Sequence, residues 1–306
     1  MRAQYKPWGV TDPRPWSNAD HAGHPIGELC YERSSPDACE PALLLKILLT
    51  SQPLSIQVHP DDAFAQSIGL PHGKTEAWYV LGAQPGAAVA LGLKHAATPH
   101  QMNQAIADGS IADLVAWRTI SLGETVFVPA GTIHAIGPGL VIAEIQQRSD
   151  ATFRLFDHGR DRELHVDHGL AAARAAPTGP QPDPRYLANG RTLLVSNAHF
   201  VFERLELEPG SAWRLDASRE TWLLILQGRA RANAFDVGTG QAVFAQAESI
   251  DLRVGEKGAV CLVAYTGRGG PLPQLLRRRD DHAIDDYSKS DAQQQSGRGA
   301  QMRAAR

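Results

Sequence analysis

Short apolar runs alternate with turns bearing glycine or proline along most of the chain, which holds 28 glycines and 20 prolines. LLLKILL (43–49), EAWYVLG (76–82), AAVALGL (87–93), ETVFVPA (124–130) and LVIAEIQ (140–146) carry the branched and aromatic residues that suit pleated strands. LSIQVHP (54–60) alternates strictly. Residues two apart in a strand point the same way, so Ser55, Gln57 and His59 share one face and Leu54, Ile56 and Val58 the other. Such a polar face either meets water or lines a cavity.

One segment departs from this rhythm. TPHQMNQAIADGSIADLVAW begins at Thr98 with a Thr-Pro start and spaces Met102, Ile106, Ile111, Leu114 and Val115 as a helix would. The expectation is a helical segment over about 98–117, divided at Gly109, on a mainly β body. AAPTGPQPDPR (175–185) has little capacity to form a core and reads as a connection between domains. Beyond it TLLVSN, FVFERLELEPG, TWLLILQGRARANAF, AVFAQAESIDLRVG and AVCLVAYTG repeat the strand–turn rhythm. Two related β domains, 1–175 and 186–276, are expected. The polar stretch 277–306 is expected to be disordered.

Composition narrows the function. A chain of 306 residues with 43% hydrophobic and 21% charged residues can bury a substantial core. A formal net charge of -3 argues against nucleic acid or an anionic membrane as partner. No apolar run approaches a membrane span, and MRAQYKPWGV lacks the apolar segment of a signal peptide. Three scattered cysteines, Cys30, Cys39 and Cys261, make neither a disulfide framework nor a thiolate zinc site. A cytoplasmic protein is expected.

Three stretches concentrate polar residues inside strand-like text: Gln57–Val58–His59, GKTEAWY with Lys74 and Glu76, and VPAGTIHAIGPG with His134. Any one alone reads more economically as a solvated or hydrogen-bonded strand end. Together, two imidazoles, a carboxylate and an amide suit a catalytic Zn²⁺, with Mn²⁺ and Fe²⁺ chemically admissible. His165 and His168 sit in a charged loop-like stretch, and His21, His24, His95, His100 and His158 read as surface residues. Farther along, Glu144 is a carboxylate in an otherwise apolar strand, where burial would raise its pKa and make it a useful base. Arg154 stands between Phe153 and Leu155, free either to reach the surface or to offer its fork to an anionic oxygen.

LLLKILLTSQPLSIQVHPDD, GKTEAWYVLG, VPAGTIHAIG and AEIQQRSDATFRLFD resemble, in order, the signature segments of type I mannose-6-phosphate isomerases, and of the short bacterial branch in particular. The detailed resemblance covers about the first half of the chain, and the second half fits the family's degenerate C-terminal β domain. It implies two cupin-like jelly-roll barrels, the first catalytic and carrying the short helical segment. It implies interconversion of mannose 6-phosphate and fructose 6-phosphate through an enediol, with one Zn²⁺ in the N-terminal domain and a small sugar phosphate as partner. The implied metal ligands are His59, Glu76 and His134, with Gln57 as a further ligand in many members. The implied catalytic arginine is Arg154. Lys46, Ser55, Lys74, Glu144 and Asp150 match positions that line the family's site, and Glu144 is preferred as the proton carrier. Gln57 stands where ordinary cupins carry the first His of His-x-His, which argues against a cupin oxygenase. An isomerase of another sugar and a non-catalytic sugar-binding cupin stand as alternatives.

Overall fold

The apolar runs pair as antiparallel strands, and several of their polar faces turn inward. The computed structural model describes residues 1–19, 22–33, 40–267 and 269–279. They form two units: Met1–Tyr31 with Ala42–Asp183, and the described part of 32–41 with the chain from Pro184.

In the first unit, β1 (Arg2–Val10), β2 (Ile26–Cys30), β3 (Leu43–Leu49) and β4 (Ile56–Val58) precede helix α1 (Asp62–Ser67). β5 (Glu76–Ala83), β6 (Ala88–Leu93), α2 (Pro99–Asp108), α3 (Ile111–Leu114) and β7 (Val115–Thr119) follow. β8 (Thr125–Val128), β9 (His134–Ile136), β10 (Leu140–Gln147), β11 (Phe153–Phe156) and α4 (Val166–Ala172) complete it. One sheet has the order β1-β2-β3-β10-β5-β8 and the other β11-β4-β9-β6-β7. The consecutive strands β3 to β10 thus divide into β3-β10-β5-β8 and β4-β9-β6-β7, the pairing of a jelly roll. The mainly β fold class expected from the sequence is the one observed.

Two apolar clusters sit on the two faces of the second sheet. Leu48, Trp78, Val80, Leu91, Val126, Ile136 and Ile142 fill the space between the sheets. Ile56, Val58, Ala135 and Leu155 pack on the other side against Met102, Ile106 and Ile111 of the helices. Helix α2 starts on a reciprocal capping box between Thr98 and Gln101 and stops at Gly109, whose φ of 81° ends it. The helical text was expected to reach about 117, but Val115 already begins β7 because residues 115–119 pair with β6. Leu54, expected on the face of Ile56 and Val58, packs instead on the cluster between the sheets, because β4 begins only at Ile56.

The proline-rich stretch belongs to the first unit rather than forming a free connection. Ala97 N donates to Ala175 O, Leu93 N to Ala176 O, and Gly92 bridges to Pro177. Gln181 then binds both backbone groups of Phe127 on β8, satisfying an edge strand. These bonds carry the first unit to Asp183, past the expected end at 175.

The second unit contains β12 (Arg185–Tyr186), β13 (Arg191–Ser196), β14 (Phe200–Leu207), β15 (Ala212–Ala217) and β16 (Thr221–Ala232). β17 (Phe235–Gly238), β18 (Ala242–Ala245), β19 (Glu248–Thr266) and β20 (Leu276–Arg278) follow. Two runs expected as separate strands merge into the single β19, whose first part pairs with β15 and whose second part pairs with β14. β20 pairs with β15 and carries the structure past the expected end at 276. Positions 280–306, where disorder is expected, lie outside the described residues, as do His21 and Cys39. Cys30 and Cys261 are buried free thiols. Among the described residues no helix is long and apolar enough to cross a membrane.

A fully buried ion pair anchors this second unit. Arg191 Nε and Nη2 donate to the two oxygens of Glu203 at 2.8 and 2.9 Å, and the Tyr265 hydroxyl donates to Oε1 at 2.6 Å. Arg191 also donates to the carbonyls of Leu272 and Pro273, so the pair fixes the turn before β20. Removing one member of a buried pair strands the other charge. Glu203→Ala is expected to destabilise the second unit by about 3–5 kcal/mol. Urea unfolding of the full chain measures this, and an unchanged midpoint would refute it.

Candidate metal and active site

Strand register assembles the site between the two sheets, at the polar end of the space whose other end is apolar. Antiparallel partners directly opposite one another share a face. β10 lies between β3 and β5, so Glu144 faces Lys46 on one side and Trp78 on the other, and Gln146 sits opposite Glu76. In the other sheet Gln57 pairs with His134, and Arg154 pairs with Gln57. His134 stands two residues before Ile136, which lies in the cluster between the sheets.

His59, Glu76 and His134 converge with donor atoms all within 4.8 Å of one another. His59 Nε2 lies 3.4 Å from Glu76 Oε2, and His134 Nε2 lies 3.4 Å from Oε1. The outer nitrogens are held by backbone. His59 Nδ1 binds Ala151 O and His134 Nδ1 binds Thr132 O, each at 2.8 Å. A carbonyl can only accept, so both Nδ1 atoms carry hydrogen and both Nε2 atoms turn a lone pair inward. All three side chains are about 1% exposed, yet His59 Nε2 has no hydrogen-bond partner. Burial is the main force holding His59 neutral, with the Lys74 charge next, and brings its pKa down to about 3. Burial likewise lowers His134. Neutral imidazoles are what a metal requires. Ligand atoms arranged tetrahedrally at ~2.1 Å from a zinc ion lie ~3.4 Å apart. The residues fit a divalent metal.

Local backbone explains how the sequence builds this cluster. Gly131 turns the Pro129–Thr132 corner with φ 83°, and its N–H donates to His59 O at 2.7 Å, tying the His134 turn to the His59 strand. Gly73 is pressed against the chain after His59, where an added methyl would meet Asp61 C at 2.4 Å and Pro60 O at 2.5 Å. Lys74 N donates to Pro60 O, and Gln147 bridges Thr75 N to Asp62 Oδ1. The Lys74 loop is thereby fastened to the end of β4.

A ring of charge surrounds the triad. Lys74 Nζ lies 3.0 Å from Glu76 Oε2 as an ion contact. Burial would raise the Glu76 pKa, but the Lys74 charge leads the influences that outweigh it, and the carboxylate is held well below its usual range. The Trp78 indole N–H is shared between Glu76 Oε1 and Glu144 Oε2, at 3.1 Å each. Glu144 is pushed up to about 7, first by burial and then by the Glu76 charge, against Lys74 and Lys46. Lys46 lies 3.8 Å from Glu144 and 3.5 Å from Glu28. Burial opposes its charge, but those two carboxylates prevail and its pKa is raised.

The remaining expected residues occupy different places. The Gln57 amide lies 3.3 Å from His134 Nε2, and its Oε1 accepts from Ser55 Oγ at 2.9 Å. Because a hydroxyl both donates and accepts, Ser55 supports either orientation of that amide, including the one presenting oxygen inward. Arg154 is half-buried on the face of Gln57, and its Nη1 donates to Glu163 O at 2.6 Å. Asp150 is exposed, on the loop whose Ala151 carbonyl holds His59. His24, His95, His100 and His168 are exposed. His158 and His165 are half-buried instead, because His158 Nε2 binds Leu54 O and His165 Nδ1 accepts from Arg154 N. Trp78 and Glu28 escaped the sequence reading. The period of two from Glu76 points to Trp78, whereas no local signal connects Glu28 to residues 46 and 144.

No family model matches the chain. Mannose-6-phosphate isomerase of Streptococcus mutans serotype c (strain ATCC 700610 / UA159) is 38% identical over 164 residues, 50% of this chain and 51% of that protein. Mannose-6-phosphate isomerase ManA of Bacillus subtilis (strain 168) is 37% identical over 158 residues, 49% of this chain and 48% of that protein. The match thus spans about half the length of these curated relatives. Among solved structures, a mannose 6-phosphate isomerase from Bacillus subtilis superposes with a TM-score of 0.75 at 23% identity, over 86% of this chain and 97% of that one. A putative mannosephosphate isomerase from Archaeoglobus fulgidus gives 0.68 at 14% identity, over 87% and 95%. The chain has the fold of these isomerases.

Two outcomes are expected from this geometry. The chain loaded with zinc and desalted should retain about one ion per chain by elemental analysis, and His134→Ala should retain almost none; equal retention would exclude the triad. Gly73→Ala should destabilise the first unit by about 1–3 kcal/mol, through forced displacement of the Lys74 loop. A thermal melt equal to that of the wild type would show that the approach to Pro60 relaxes freely.

Proposed function

We propose that this protein is a metal-dependent aldose–ketose isomerase interconverting mannose 6-phosphate and fructose 6-phosphate. The observation that carries the reading is the buried triad with an unpartnered imidazole nitrogen, set beside a carboxyl whose pKa is lifted to about 7. A purely structural core has no use for either. The likeness to mannose-6-phosphate isomerases supports the choice of reaction and sugar.

His59, Glu76 and His134 would hold one Zn²⁺, with Gln57 available as a further ligand when its amide oxygen turns inward. Bound zinc supplies Lewis acidity, orienting the sugar oxygens and polarising them. Glu144 in its carboxylate form takes the proton from C2 of the open-chain aldose and returns it to C1, while the hydroxyl proton passes from O2 to O1 of the enediol. A carboxyl with pKa near neutrality both accepts and releases a proton at comparable cost. Arg154, on the face of Gln57, stabilises the negative charge that develops on the enediol oxygens. Lys74 and Lys46 supply positive charge for the phosphate or the hydroxyls, with Ser55 and Asp150 as further substrate contacts. The two buried free thiols suit a reducing compartment, and we place the protein in the cytoplasm.

A coupled assay of fructose 6-phosphate formation from mannose 6-phosphate decides the reading. Activity should vanish on chelation and return with Zn²⁺, and turnover that persists without metal would overturn the mechanism. Arg154→Ala should lower kcat by about 10²–10³ while retaining metal; a change in melting temperature alone would make Arg154 structural. Binding of mannose 6-phosphate without turnover would favour a sugar-binding module, and turnover of other aldose phosphates in its place would move the substrate.

A further inference from the structure

Glu28, a half-buried carboxylate whose side chain is 14% exposed, has no task in the mechanism. We propose that Glu28 is a positioning residue, holding the Lys46 ammonium at a set distance from Glu144; the proposal rests on the isomerase reading above. Glu28 enters from β2, opposite Leu48 of β3, whose side chain lies between the sheets. Its two oxygens are divided between two lysines. Oε1 lies 3.4 Å from Lys6 Nζ and Oε2 lies 3.5 Å from Lys46 Nζ. Lys46 in turn stands 3.8 Å from Glu144 Oε1, with its side chain only 10% exposed.

An ammonium on a four-carbon stem has no preferred direction of approach, so the charges around it fix its position. Lys46 is drawn by Glu144 and by Glu28 together, and it rests at a long distance from both. With Glu28 neutral, the pull of Glu144, already the largest on Lys46, would lose its main opponent. The lysine would close onto the carboxylate that carries the proton, committing both groups to a tight pair. Lys6 occupies the second oxygen of Glu28 and keeps that carboxylate from closing on Lys46 itself. Glu28 acts through Lys46 and touches none of the three metal-binding residues.

A double-mutant cycle with Glu28→Gln, Lys46→Met and the pair tests this on the zinc-loaded full chain. Glu28→Gln should lower kcat/KM for mannose 6-phosphate by at least about tenfold with bound zinc unchanged, and by less than about twofold in the Lys46→Met background. Equal losses in both backgrounds, or no loss in the wild type, would overturn the proposal. A second readout is independent of turnover: the side-chain ¹H–¹⁵N signal of the Lys46 ammonium, assigned by its absence in Lys46→Met. It should shift or vanish in Glu28→Gln, and an unmoved signal would also overturn the proposal. Should Glu28→Gln fail to fold, Glu28→Asp retains the charge one methylene farther away and should show a smaller loss with the same dependence on background. If the wild type isomerises no sugar phosphate, the functional reading fails, while the ammonium signal still decides the positioning.

Discussion

A carboxylate with almost no access to water must be surrounded by positive charge or hydrogen-bond donors, and Glu76 imposes that constraint on the first unit. It is about 1% exposed and charged, so everything it touches answers to it. Lys74 reaches it from two residues earlier in the chain and the Trp78 N–H from two residues later, while neutral His59 and His134 stand against it from the other sheet. Burying an isolated carboxylate would be prohibitive, and groups in such sites lose their charge instead. Glu76 retains its charge because Lys74 and the Trp78 N–H stand against it, while the opposite sheet closes the site with two neutral imidazoles. The mutual placement of the two sheets is therefore coupled to the site.

The space between the sheets is graded. Ile142 and Leu48 occupy one level and Glu144 and Lys46 the next, two residues along the same strands. A one-residue slip of β10 would turn Glu144 out of that space and Ala143 in. The apolar level therefore sets the register that aligns the charged level. Helices cover the outer face of the second sheet, so the strand bearing Gln57 is clamped between two packed cores while its polar side chains remain free to face inward. Precision at the site comes from strands packed on both sides and from backbone carbonyls that orient both imidazoles.

Much of this was legible in the sequence, for physical reasons that differ from residue to residue. The alternation in LSIQVHP assigns faces to Gln57 and His59 because strand geometry is local. The Pro-Ala-Gly corner before His134 announces its turn because Gly131 needs a positive φ. Elsewhere the cause is distant. Glu28 owes its place to pairing of β2 with β3, and the groups that orient the histidines are the backbone carbonyls of Ala151 and Thr132, which side-chain chemistry does not announce. Periodicity also misled where tertiary pairing prevailed. Val115 completes a helical spacing yet pairs with β6, and the proline-rich stretch binds along the first unit through hydrogen bonds that composition does not encode. His165, expected in a charged loop-like stretch, has a ring nitrogen fixed by the Arg154 backbone.

The second unit supplies the contrast that gives the triad its meaning. Glu203 is as deeply buried as Glu76, but both its oxygens are met by Arg191 and Tyr265, and the remaining guanidinium donors turn to the carbonyls of the turn they hold. That network is closed, and a closed network does nothing beyond holding a turn in place. Around Glu76 the accounts differ. His59 Nε2 is buried with its lone pair inward and no donor to meet it, and His134 Nε2 lies beside an amide that Ser55 can hold in either sense. Both units bury charge under the same electrostatic cost. Among the described residues, only the first unit brings two imidazoles and a carboxylate to a common point, an arrangement that a divalent cation would complete.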